Sequence, residues 1–409
     1  MIKNFLLSSG VPLIIQKMKH IKSFVLGIWI KHGSRHETTS KNGLSHFIEH
    51  LFFQGTQRRD AKSISIEIDS IGGELNAFTT REFTTLYIKV LDKYLNKGIE
   101  LIGDIFSNSI FPEKEIEKER SVILDEIRTI KDIPEELLHD LFMEYTYPDG
   151  LGQPILGKEE TVINIKRDDI LDCYRNYFKT QNIVITCAGS FDELNLIKTL
   201  EESITIENSN KVLPLSNSKF SSSINLFQKD LNEIHLCIGF ELPPFNTPYR
   251  IPFIILNSIL GGSVSSRLFQ EIREKRGWVY NIYSFVSFYS DTGLLAIYTA
   301  CEKKLLNKII ETIFKIIKTM RKNLQESEIE RAKTQAISQI LFSSESPNSV
   351  MQSLAYQEIY LGKTFSTNEI IKQINRTSFK DIKECISIIN EKNFSLALLG
   401  PIDKNKLDI

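Results

Sequence analysis

Along the chain, short runs dense in β-branched and aromatic residues alternate with longer runs of helical period. SFVLGIWI (23–30), FTTLYIKV (83–90), EIHLCIGF (233–240) and LLAIYTA (294–300) read as strands. Between 113 and 130, Ile116, Ile123, Ile127 and Ile130 form an apolar stripe at helical spacing. The stretch LSHFIEHLFF (44–53) is apolar on every side and predicts a helix buried nearly all round. Strands and helices mixed in this way predict an α+β fold, helices packed on a largely antiparallel sheet.

The pattern also repeats. NIVITCAGSFD at 182–192 resembles NFSLALLGPID at 393–403, which begins 211 residues later. YLNKGIELIGDIF from 94 resembles LLNKIIETIFKII from 305, and EIEKERSVILDEI from 115 resembles EIERAKTQAISQI from 328. Three matches in one order argue for a duplicated unit. The Ser-, Asn- and Pro-rich TIENSNKVLPLSNSKFSSS (205–223) marks a linker between the copies. The expected organisation is a first half at 1–205, a linker at 206–223 and a homologous second half at 224–409.

Three polar groups interrupt the oily 44–53 helix. His46 and His50 are four apart and share one helix face, with Glu49 on the same side. A buried carboxylate needs a partner, and a divalent metal satisfies all three groups: two imidazoles as ligands and a glutamate next to a metal-bound water. A helix with two satisfied core histidines and an incidental glutamate is the competing reading. A hydrolytic zinc usually takes three protein ligands, so another buried element must supply one. On the isoleucine-striped helix, Glu119 and Glu126 fall within about 60° of the apolar stripe at about 100° per residue, whereas Glu117 and Asp125 point away. Either carboxylate satisfies the geometry at this point; both also fit ordinary ion pairs. The second half carries Asn257, Leu260 and Gly261 where the first has His46, Glu49 and His50, and Ala332 and Gln339 where it has Glu119 and Glu126. Any metal chemistry is therefore expected in the first half alone.

Bulk properties narrow the class. A chain of 409 residues suggests more than one domain. A formal net charge of -1 gives no basis for a nucleic-acid surface. The five cysteines are scattered without a CxxC pair and read as buried thiols in a reducing compartment. No export signal and no run of membrane-spanning length is evident, which makes the cytoplasm the expected location.

With these motifs in order, GLSHFIEHLFFQGT, GGELNAFTTREFTTLYIKV, EKERSVILDEI and LFQEIREKRGWVYNIYS, the chain resembles the pitrilysin, insulinase and mitochondrial processing peptidase superfamily over nearly its whole length. The resemblance implies one zinc per chain on His46, His50 and Glu126, Glu49 as general base and Glu119 as support for the site. It implies an edge strand at GGELNAFTT onto which an extended peptide adds, with Asn76 and Ala77 near the scissile bond and Phe78 also binding substrate. It implies that Arg273 and Tyr280 of the second half contact substrate, Tyr280 aiding the oxyanion together with the Asn76 region; Arg276 reads as a solvated charge. The short bacterial members pair two chains around an enclosed chamber, so peptide substrates and a homodimer or a heterodimer with a related chain are expected. The expected function is a zinc endopeptidase for unfolded peptides. A processing peptidase trimming one partner precursor, and a non-catalytic scaffold subunit, are the alternatives.

Overall fold

The computed structural model describes residues 2–207 and 217–402, so part of the expected linker lies outside the described residues. The chain forms two compact units, each a sheet packed with helices. The first sheet contains β1 (Ile2–Leu6), β2 (Pro12–Lys17), β3 (Ser23–Ile30), β4 (Glu74–Thr79), β5 (Thr84–Leu91) and β6 (Ile183–Gly189) in the order β1-β2-β6-β3-β5-β4. Only β2 and β6 pair in parallel. The second sheet contains β7 (Ile224–Gln228), β8 (Ile234–Leu242), β9 (Ile282–Phe288), β10 (Gly293–Cys301) and β11 (Phe394–Gly400) in the order β7-β11-β8-β10-β9, with β7 and β11 parallel. Apart from β1, the two sheets follow one plan, which is the duplication read from the sequence.

In the first unit, α1 (Leu44–Leu51), α2 (Ala61–Ser70), α3 (Leu95–Asn108), most of α4 (Glu113–Asp132), α6 (Glu159–Asn164), α7 (Arg167–Tyr177) and α8 (Glu193–Ser203) accompany the sheet. Phe24, Leu26, Ile28 and Ile30 of β3 join Phe47, Ile48 and Leu51 of α1 in the main core. The alternate residues Val25 and Trp29 are equally buried, against Val350, Met351, Leu354 and Ala355 of α12 (Pro347–Leu361). Trp29 Nε1 donates to Thr186 Oγ1 at 2.8 Å, and that hydroxyl donates to the Met351 carbonyl at 3.0 Å. Gly27 lies under Met351, whose sulfur would stand 2.5 Å from a Cβ there. SFVLGIWI is continuously apolar because helices cover both faces of its sheet.

The second unit contains α9 (Arg250–Leu260), α10 (Leu306–Asn323), α11 (Glu326–Ser344) up to Leu341, α13 (Thr367–Arg376) and α14 (Phe379–Ile388), and it takes α5 (Pro134–Thr146) from the first half of the sequence. Leu138, Phe142 and Met143 of α5 pack with Cys237, Leu294, Ala296 and Leu399 of the second sheet. Gly239 makes room for the Phe142 ring. The two copies have therefore exchanged a helix, α5 for α12. The expected division into 1–205 and 224–409 differs from the observed units by this exchange. All five cysteines are buried and unbridged. No helix among the described residues is long and apolar enough to cross a membrane.

Candidate active site

The eight-residue helix α1 packs its apolar side into the first core and carries His46, Glu49 and His50 on the remaining strip. α4 buries Ile116, Ile123 and Ile127 and thereby turns Glu119 and Glu126 toward α1, while Glu117 and Asp125 are exposed. One ligand atom from each of His46, His50 and Glu126 lies within 4.8 Å of the others. Glu126 Oε2 is 3.7 Å from His46 Nε2 and 3.6 Å from His50 Nε2. These separations are too long for good hydrogen bonds. They approach the edge of a tetrahedron with arms of about 2.1 Å, which is about 3.4 Å and is the spacing a four-coordinate zinc requires.

The electrostatics suit a metal. Burial, and then the neighbouring His50, push His46 down to about 4, leaving the neutral imidazole that a cation needs. Its Nδ1 is buried with no hydrogen-bond partner among the described residues. His50 and, more weakly, His46 hold the Glu126 carboxyl below its usual range although burial opposes them. On its far side the His50 ring is 3.1 Å from Glu119 Oε2 through Nδ1. That contact orients the ring and leaves Nε2 facing the gap, the usual support for a metal-bound histidine. Gln54 Nε2 donates to the other Glu119 oxygen at 3.0 Å and fixes the carboxylate in turn. Two nitrogens and one oxygen, with no fourth protein donor in the group, fit a hydrolytic zinc with an open position.

Glu49 is outside this trio. Burial raises its carboxyl above the usual range, against the pull of Thr79 and His50. Thr79 Oγ1 is itself buried and makes no well-aligned hydrogen bond among the described residues. Thr79 ends β4, the edge strand of the first sheet, which packs on α1. β4 pairs only with β5, Asn76 opposite Tyr87, Ala77 opposite Leu86 and Phe78 opposite Thr85; its other edge has no strand partner among the described residues. Ala77 faces the α1 side and the main core. Phe78 sits on the opposite face, its ring 5.8 Å from that of Trp29 and 6.2 Å from that of Tyr87. By strand alternation the exposed Asn76 side chain shares that face, and its Oδ1 accepts from the Ala77 amide at 2.8 Å. Of the three expected substrate residues, the main chain of all three lies at the edge beside α1, while the side chains of Asn76 and Phe78 do not face α1.

Arg273 and Tyr280 belong to the second unit. The Arg273 guanidinium lies 4.6 Å from the centre of the Phe269 ring, and its Nε donates to the Tyr280 carbonyl at 2.8 Å. Tyr280 is 89% exposed. Arg276 pairs with Glu271 and lies over Trp278. Sequence reasoning did not single out Gln54 or Thr79, whose roles depend on tertiary contacts rather than on a motif.

The sequence and the fold both match a known family. Residues 13–159 match the profile described as Insulinase (Peptidase family M16), and residues 164–336 match the one described as Peptidase M16 inactive domain. The chain belongs to peptidase family M16. It is 35% identical to a Bacillus subtilis protein named an uncharacterized zinc protease, covering 98% of each chain. A Rickettsia bellii protein of the same description is 33% identical over 97% of this chain and 96% of its own. Among solved structures, a protease from Helicobacter pylori superposes with a TM-score of 0.91 at 19% identity, covering 98% of this chain and 99% of that one, which speaks for the fold. His46, Glu49, His50 and Glu126 all fall within the stretch matched by the first profile.

Proposed function

We propose that this protein is a zinc-dependent endopeptidase that hydrolyses unfolded peptides inside an enclosed chamber. The convergence of the His46, His50 and Glu126 donor atoms beside a buried Glu49 carries the reading. Those three residues would hold the ion. When bound there, zinc would supply Lewis-acid chemistry, polarising a peptide carbonyl and acidifying water toward a pKa of about 7. Glu49 takes the proton of the attacking water and later hands it to the leaving amine. Glu119 keeps His50 in its ligating orientation. The free edge of β4 takes up the substrate as an added strand, reading main chain at residues 76–78, so that side-chain preference is loose.

Arg273 orients the peptide in this scheme, and Tyr280 donates a hydrogen bond to the developing oxyanion. Its exposed side chain leaves the hydroxyl available to a ligand. Tyr280→Phe is expected to lower turnover about 10²- to 10³-fold with zinc content unchanged; turnover within a few-fold of wild type would remove Tyr280 from the mechanism. Pairing with a second copy or a related chain would complete the chamber, and the cytoplasm is the proposed location.

The deciding experiment is elemental analysis together with peptidase assays on the purified protein. One zinc per chain is expected, with cleavage of many unstructured peptides and loss of activity on chelation. Two zincs or none would sink the site as drawn. Cleavage confined to one precursor would favour a processing peptidase, and bound zinc without any cleavage a scaffold.

A further inference from the structure

Helix α1 begins without a side-chain cap from its own N-cap residue. Gly43, which precedes α1, has no side chain to offer and adopts φ 98°, a left-handed conformation suited to glycine. Gly43 and Gly157 also touch, since a Cβ on Gly157 would stand 2.7 Å from the Gly43 Cα. An isolated helix of eight residues is unstable in water, so its first turn must be held from outside. His46 lies in that first turn, and its position sets where Nε2 points.

A buried carboxylate from a preceding loop fills the role of the cap. Glu37 Oε1 accepts from the Ser45 amide at 2.6 Å, and Oε2 accepts from the Gly43 amide at 2.7 Å and from Asn42 Nδ2 at 3.0 Å. The two main-chain donors are among those an α-helix leaves unpaired at its start, and a negative charge there also complements the helix dipole. The loop is itself fixed, because Gln153 Nε2 donates to the Glu37 carbonyl at 3.1 Å. Asn42 is pinned on its other side, donating to the Pro154 carbonyl at 2.9 Å and accepting from Thr161 Oγ1 at 2.7 Å. The Ser45 hydroxyl shares a 3.0 Å hydrogen bond with His32 Nδ1, and the His32 ring stacks on Tyr177 at 4.6 Å. Among the described residues the side-chain hydrogen bonds of Glu37 go to Asn42, Gly43 and Ser45 and not to the trio of donors or Glu49.

We propose that Glu37 is a positioning residue for the metal centre: its carboxylate clamps the first turn of α1 and so presets His46 for zinc before the ion arrives. The inference rests on reading His46, His50 and Glu126 as the zinc site.

The test compares zinc affinity of the full-length wild-type protein and of E37Q by chelator competition, at pH 8. That is above the value of about 7 to which burial pushes the Glu37 carboxyl, so the ionised acceptor prevails. In E37Q one acceptor oxygen becomes an amide that faces a donor. Zinc affinity is expected to fall about tenfold, the lower end of the loss seen when a group bonded directly to a metal ligand is removed, because Glu37 acts on His46 only through the helix backbone, with circular dichroism unchanged. A wild-type protein that binds no zinc overturns the metal reading itself. A wild-type that binds zinc, with E37Q binding it equally tightly, overturns the clamp alone. Hydrogen exchange on the wild-type protein gives a second measurement that needs no variant. The Gly43 and Ser45 amides are expected to be protected already in the metal-free protein; exchange that is fast without zinc and slow with it would mean that the ion, not Glu37, orders the turn.

Discussion

Glu49→Gln is expected to keep its zinc and its fold while losing about two to four orders of magnitude in peptide turnover. Glu49 is not one of the three converging donors, so an amide in its place leaves His46, His50 and Glu126 where they are. The amide has no basic oxygen that can accept a proton from water. Stability should not suffer either. Burial raises the Glu49 carboxyl, so the folded chain holds that proton more tightly than the unfolded chain does. The ionised form therefore costs stability above the unfolded pKa, and a neutral glutamine avoids that cost. Metal content, thermal unfolding and kcat/KM measured on one preparation check the three parts together. Near-normal kcat/KM in a zinc-loaded E49Q would remove Glu49 as the base.

His50→Ala is expected to lose metal and activity together. Its Nε2 is one of the converging donors, and two remaining donors hold zinc poorly. The substitution also strips the largely buried Glu119 carboxylate of its histidine partner, leaving the hydrogen bond from Gln54 and the ammonium of Lys118 at 3.8 Å. Loss of a partner to a buried polar group typically costs about 1–3 kcal/mol, so a lower melting temperature should accompany the lost zinc. Elemental analysis after dialysis, set beside E49Q, separates a ligand from a base. Stoichiometric zinc in H50A would move the metal away from α1.

The central chemistry was legible because it lies within single helices. His46, Glu49 and His50 share a face by spacing alone, and the isoleucine stripe of α4 orients Glu119 and Glu126 the same way. Those two carboxylates are seven residues apart, two turns on one face, and periodicity cannot rank them. The packing of α4 against α1 separates them: Glu126 meets both Nε2 atoms, while Glu119 meets His50 Nδ1 from the other side.

The duplication was legible too, as matches 211 to 213 residues apart, and the second sheet repeats the strand order of the first. Similar sequences identify equivalent elements but not which sheet each covers, so the exchange of α5 and α12 had no linear signature. The continuous apolar strands require cover on both faces without naming its source. At the β4 edge, alternation turns Phe78 toward Trp29 and away from α1, a consequence of register against β5 rather than of composition. Glu37 is the clearest case. Its partners are main-chain amides of Gly43 and Ser45, which every residue but proline possesses, so no residue type marks them. By itself the sequence determined the helical periods, the duplication and the residues able to ligate a metal, because these follow from spacing along one element. Only the tertiary structure decided which groups meet, because contacts between elements depend on how their faces pack, and a linear pattern does not encode that directly.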